Sequence, residues 1–286
     1  MKMEYINSAI SLIKTRKSIR TYEESMKIEL KKQGQLIDYM SILNTNSFRF
    51  RSIQNSENHK DRNNEYGFIK GVRYLIIGII NNSEDKDPQT LVEFGLNMEK
   101  VVLKATDLGL GTCWVTNITK GAYIRREANL KLTERIAAVI TIGYPSEKMR
   151  KVERIIEEET KDRNRKGWSE LFFNEDFKRE LTFEEAGNYK EALEAVRLAP
   201  SAVNYQPWRV IKMGNRFDFF ALRNSYRLAS KVIPYRYSDM GIAFAHFELA
   251  CEELELDGSW CHCEEVADEK YRNIEYIRSW KMRSNY

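Results

Sequence analysis

This sequence has few of the residues on which metal sites, disulfide scaffolds and membrane anchors are built. There are four cysteines, three histidines and five prolines in 286 residues, and the net charge is only +4. Four thiols do not frame a disulfide scaffold in a chain of this size. Cys261-His262-Cys263 lacks the Cys-x₂₋₄-Cys spacing usual at zinc, so ordinary buried thiols and no metal site are expected. No apolar run approaches the roughly 18–20 residues of a membrane span. The N-terminus has no signal-like hydrophobic stretch, so the expectation is a cytoplasmic protein without membrane contact. Lys and Arg alternate with Asp and Glu instead of clustering between aromatics, which argues against a nucleic-acid surface. No Ser-His-Asp or Cys-His arrangement is evident, so no protein nucleophile is expected.

What is present is enough apolar residue, 42%, for a real core, in a length that suits two units or one large one. Periodicity predicts a helix over about 3–15, an irregular polar region over about 45–66, a strand over 74–81, a helix over 88–108 and a strand over 136–144. The helix over 88–108 is the clearest. Asp87-Pro88 supplies a cap and first position, while Leu91, Phe94, Met98, Val101, Ala105 and Leu108 mark one face and Gly109 closes it. The charged stretch from Met149 to Arg165 reads as a connection. Beyond it come a helix over about 184–198, a hairpin pairing 209–213 with 216–222 about Gly214-Asn215, a long helix with Met240, Phe244, Phe247, Cys251 and Leu254 on one face, and a strand over 260–264. Both halves therefore run helix, strand, long helix, strand.

Three strings stand out. Arg16-Lys-Ser-Ile-Arg20 sets cations around a hydroxyl at a helix end, which suits a phosphate or another small anion and also a solvated helix terminus. Leu108-Gly-Leu-Gly-Thr-Cys-Trp114 has a glycine, Gly111, that lets backbone approach something closely. It lacks the strand-before, helix-after context of a dinucleotide fingerprint. Arg197-Leu-Ala-Pro-Ser-Ala-Val-Asn-Tyr-Gln-Pro-Trp208 turns at proline and carries two amides, Asn204 and Gln206, that offer donor and acceptor together.

Together these strings resemble the FMN-dependent nitroreductase superfamily, and in particular a double-repeat family in which a fused pseudo-dimer keeps one complementary site. The likeness extends to Arg165-Lys-Gly-Trp-Ser-Glu-Leu-Phe-Phe173 and Ser238-Asp-Met-Gly-Ile-Ala-Phe-Ala-His-Phe-Glu-Leu249. It implies an α+β, nitroreductase-like fold with a central, mostly antiparallel sheet flanked by helices and two pseudo-repeats. Residues 1–165 and 166–286 would be the two halves of one intertwined unit. Each motif occurs once, implying one FMN per chain and permitting a monomer.

The resemblance also implies roles. Arg16, Lys17, Ser18 and Arg20 would hold the phosphate and the polar edge of the ring. Val115, Thr116 and Asn117 would present backbone to flavin N5 and O4, with Asn117 standing where many relatives have glycine. Arg150 or Arg154 would add a phosphate cation. Pro200, Ser201, Ala202 and Asn204, with Gln206 behind, would cover the ring from the second half. Trp114 and Trp208 would be packing residues, and His246 a satisfied core or interface histidine. The implied activity is ping-pong hydride transfer from NAD(P)H through flavin N5 to a nitroaromatic, a quinone or an activated alkene. The alternatives are an FMN-binding protein without rapid turnover, and a specialised relative that dehalogenates or fragments its substrate.

Overall fold

The structure is a computed structural model that describes residues 5–54, 69–115, 122–147, 165–223, 234–267 and 273–283. Its frame is a pair of long helices, α3 (Pro88–Asp107) and α8 (Tyr235–Glu253), one from each half, packed against each other. In α3, the Asp87 carboxylate accepts from Thr90 N at 2.7 Å and Pro88 fills the first turn, as the sequence indicated. At the other end Gly109 closes the helix with φ of 75°.

The first half supplies a sheet of β1 (Phe48–Gln54), β2 (Tyr74–Asn81), β3 (Gly111–Val115) and β4 (Glu134–Gly143), in the order β1-β2-β4-β3 and antiparallel throughout. The second supplies β5 (Phe172–Asn174), β6 (Trp208–Met213), β7 (Arg216–Leu222), β8 (Gly258–Cys261) and β9 (Ile274–Met282), in the order β5-β6-β7-β9-β8. Only the β5–β6 pair is parallel among these strands. Apart from β5, the two orders match step for step. Each half runs hairpin, long helix, edge strand, short helix, then a strand that enters between. The short helices are α4 (Ala122–Glu127) and α9 (Glu264–Ala267). The sheet expected as a single centre is therefore present once in each half.

One continuous core joins the halves. Phe48, Phe50 and Phe94 lie in the same cluster as Trp208, Phe219, Phe244 and Phe247. The β2 strand is buried on both faces. Tyr74, Ile76 and Ile80 face that core, whereas Leu75, Ile77 and Ile79 face a second one with Ile19, Tyr22, Cys113 and Val139. This explains why the strand reads as unbroken apolar sequence. Phe94 and Met98 of α3 lie over Gly78 of β2, and Phe244 and Phe247 of α8 sit edge-on to Phe219 of β7.

Several expectations need correction. The first helix, α1, spans Ala9–Thr15 and starts at the Ser8 cap. Ahead of it the Asp107 carboxylate binds the N–H groups of Ile6 and Asn7, fixing non-helical chain. A second helix, α2 (Leu30–Leu43), was not anticipated. The region read as irregular from residue 45 contains β1, where Phe48 and Phe50 point inward and Arg51 outward, an alternation legible in the sequence. The helix read over 184–198 is broken into α6 (Phe183–Ala186), a 3₁₀ turn and α7 (Lys190–Leu198), because Gly187 sits at φ of 58°. The strand read over 260–264 is β8, which ends at Cys261. A one-turn helix, α5 (Trp168–Leu171), leads into β5. All four cysteines are free.

The crossing of α3 and α8 depends on two glycines. A Cβ on Gly95 would lie 2.1 Å from the Ser238 carbonyl oxygen, and one on Gly241 would lie 2.0 Å from that of Val92. Gly34 in α2 has nothing within 4 Å of its Cβ position. Gly95→Ala should therefore lower stability by about 2 kcal/mol or more through overpacking against rigid backbone. Gly34→Ala should raise it by about 0.5–1 kcal/mol through helix propensity. Urea unfolding of both variants tests the contrast, which would fail if Gly95→Ala unfolded at the native midpoint.

Candidate functional site

The first motif begins where α1 stops. Arg16 leaves the helix with ψ of 126°, and the chain runs extended beside β3. Ile19 N donates to the Thr112 carbonyl at 2.8 Å, and Ser18 and Thr112 form a parallel bridge. A Cβ on Gly111 would stand 2.6 Å from Ile19 Cγ1, so the close approach requires glycine. The first and second motifs are thus neighbouring strands of chain.

The motif of the second half follows α7. Ala199 and Pro200 end the helix, and Val203, Asn204 and Gln206 then adopt φ of 48°, 54° and 52°. Left-handed backbone at three non-glycine residues, one of them β-branched, is the kind of strain that persists only when surrounding contacts hold it. Those contacts are present. Ala202 N lies 3.2 Å from both carboxylate oxygens of Asp239, in the second turn of α8. Gln206 N donates to Ser201 Oγ at 2.8 Å, and the buried Gln206 side chain accepts from Lys166 N at 2.7 Å and donates to the Asn204 carbonyl at 3.1 Å. Trp208, fully buried, opens β6.

The first two motifs meet at Glu99 of α3, which is fully buried. Trp114 Nε1 donates to its Oε2 at 2.7 Å. Its Oε1 lies 3.1 Å from His246 Nε2 of α8 and 3.8 Å from Arg16 Nε. The other imidazole nitrogen, Nδ1, is 2.9 Å from the carbonyl of Ala195, in the helix that leads into the second-half motif. The Arg16 side chain is 5% exposed, and its Nε has no hydrogen-bond partner among the described residues.

Arg165 completes the cluster. Its Nη1 donates to Asn204 Oδ1 at 2.8 Å. Burial, aided by the neighbouring charges of Arg16 and Arg197 and opposed by Glu99, depresses its pKa to about 10. Arg197 is itself held by Glu194 through bonds of 2.7 and 2.6 Å. The site therefore gathers guanidinium charge in buried and half-buried positions, an arrangement that suits bidentate binding of an anion.

A family model described as "Putative TM nitroreductase" matches residues 9–251. The chain belongs to this nitroreductase family. A protein described as a putative nitroreductase from Thermotoga maritima has the same fold, with a TM-score of 0.59 and 18% identity over 99% of this chain and 98% of its own. An FMN-dependent nitroreductase from Clostridium difficile matches at 20% identity over 49% of this chain and 90% of its own, with a TM-score of 0.40. A nitroreductase family protein from Clostridium novyi matches at 24% identity over 51% of this chain and 87% of its own, with a TM-score of 0.41. No curated protein matches.

In this nitroreductase-family chain, Arg16 lies against Glu99, Asn204 and Gln206 bond to each other and to Arg165 and Lys166 respectively, Ser18 lies beside β3, and Pro200, Ser201 and Ala202 are half-buried in the strained loop. Arg20 is half-buried, Lys17 is exposed, and Val115 ends β3, half-buried. Thr116, Asn117, Arg150 and Arg154 lie outside the described residues. His246 is a satisfied interface histidine, as expected. Trp114 does more than pack, because its indole N–H is one of the bonds to Glu99. Sequence reasoning missed Glu99, Asp239 and Arg165 as site residues. The available signal was a glutamate one residue after Met98 on the apolar face of α3, and a cation at the head of a recognised string.

Strain in the loop gives a direct test. Val203 is 68% exposed, so its side chain contributes little packing to set against its left-handed backbone. Val203→Asn should stabilise the protein by about 0.5–1 kcal/mol, because asparagine tolerates this region. A lower urea midpoint in the variant would show that the loop carries no relievable strain there.

Proposed function

We propose that this chain is an FMN-dependent NAD(P)H oxidoreductase of nitroreductase type, with a single flavin site completed by both halves. The observation that supports it most is the buried Arg16 side chain with the half-buried Arg165 close enough to feel its charge. Two guanidiniums approach each other there, and Arg16 Nε has no hydrogen-bond partner among the described residues. Such an arrangement is costly unless a ligand anion enters it. The donor set fits a phosphate monoester joined to a polar heteroaromatic edge.

Arg16, Lys17, Ser18 and Arg20 would hold the phosphate and the ring's polar edge. Arg150 or Arg154 would add a phosphate cation, and Arg165 would add a further cation beside Asn204. Pro200, Ser201, Ala202 and Asn204, backed by Gln206, would cover the ring, while backbone at Val115, Thr116 and Asn117 would face its reactive edge. FMN held there would supply hydride acceptance from NAD(P)H and ping-pong donation at N5 to a nitroaromatic, a quinone or an activated alkene. The protein's part is to fix the ring by its phosphate and pyrimidine ends and to leave one face open. Residues 1–165 and 166–286 act as the two halves of a fused pseudo-dimer, and a monomer suffices.

Arg16→Ala should weaken FMN by about 1.5–3 kcal/mol while sparing riboflavin, because the lost partner is the phosphate. Asn204→Ala should weaken riboflavin as well, because it removes a contact on the ring side. Titrations of both flavins with both variants at one ionic strength test this, together with NADH and NADPH oxidation in the presence of a nitroaromatic or a quinone. Unchanged affinities in a folded Asn204→Ala protein would remove the second half from the site. Tight FMN binding without NAD(P)H oxidation would favour a flavin reservoir or a redox-responsive binding protein.

A further inference from the structure

We infer that Glu99 and His246 act as one positioning unit of zero total charge, which holds Arg16 in the interior without neutralising it and so reserves its charge for the ligand anion. The inference rests on the FMN reading above. It follows from counting protons. The Ala195 carbonyl can only accept, so the imidazole Nδ1 that lies 2.9 Å from it carries a hydrogen. On the other side, Nε2 and Glu99 Oε1 are 3.1 Å apart, and two lone pairs cannot bond, so one proton lies between them. Whether it is written on nitrogen or on oxygen, the pair sums to zero.

Other charges around this pair do not alter the count. Trp114 donates a neutral N–H to Oε2, and Arg16 Nε stands 3.8 Å from Oε1, beyond hydrogen-bond reach. Arg165 and the Tyr5 hydroxyl also feel the Glu99 carboxylate, and neither supplies a compensating negative charge at neutral pH. A lone carboxylate in this position would instead take Arg16 as its own partner and compete with a phosphate. Glu99 and His246 come from different long helices, and His246 Nδ1 meets α7, so the unit also links the phosphate-side motif to the helix that leads into the ring-covering loop. Neither residue needs to touch the flavin to act in this way.

The test uses the full chain and measures FMN and riboflavin binding at mildly alkaline pH. His246→Leu leaves Glu99 an unshared carboxylate beside Arg16. FMN affinity should then fall about tenfold or more, and riboflavin affinity by less than about threefold. Adding Glu99→Gln to that variant should restore most of the FMN loss. Equal losses for both flavins, or no recovery in the double variant, would overturn the inference. Should His246→Leu not fold, Glu99→Gln alone decides. The amide introduced there can donate to a neutral imidazole and accept from Trp114, so total charge and bond count are kept and the ratio of FMN to riboflavin affinity should stay within about twofold. A rise of about tenfold in that ratio would mean that Glu99 had been neutralising Arg16, and the inference would be wrong. A native protein that takes up neither flavin defeats the FMN reading and this inference with it. Native binding without the selective loss defeats the inference alone.

Discussion

The close crossing of α3 and α8 is the constraint on which the rest of the structure depends. Two glycines allow the helix backbones to approach to a distance that no side chain would permit. Glu99 lies about one turn beyond Gly95, and His246 five residues beyond Gly241, so the same approach brings a carboxylate and an imidazole from opposite halves to 3.1 Å. The two halves thus meet in backbone contact, and the buried polar cluster is its direct consequence. A wider crossing would leave Glu99 an unpaired interior charge, which is far more costly than the imperfect packing of a few side chains.

From that crossing outward, each motif is held by a different kind of bond. The Arg16 string is held by strand-like pairing with β3. The Trp114 string is held by its indole on Glu99. The Pro200–Trp208 loop is held in strained backbone by Asp239, Ser201 and Lys166. Rigid elements therefore fix residues that the sequence sets far apart, as a pre-organised site requires. The concentration of guanidinium charge follows the same logic. Arg165 is depressed to about 10 chiefly because it is buried, and the like charges of Arg16 and Arg197 push in the same direction.

Much of this was legible in the sequence because local rules operate locally. The Asp87-Pro88 start and Gly109 end of α3 obey capping chemistry, and β2 and β4 read as buried strands because both their faces meet apolar layers. The Gly214-Asn215 hairpin is a turn signal that needs no tertiary help. The strings that carry the family likeness were visible as strings, and the fold they imply is the fold observed. Where reading failed, a weak local signal was overridden. Gly187 broke a helix that periodicity would have continued, and the alternation of Phe48 and Phe50 was lost among polar neighbours.

The sequence by itself determined most of the elements and their order, because propensity, capping and periodicity are properties of neighbouring residues, and its motif strings pointed to the family. It also contained every residue of the candidate site. Only the tertiary structure decided which charges would be paired. Glu99, Arg165 and Asp239 look like ordinary surface charges until α3 and α8 cross, and whether a carboxylate is solvated or buried against an imidazole depends on chain segments far away in the sequence. Burial multiplies the strength of each such interaction, so long-range geometry rather than local composition sets the electrostatics of the site.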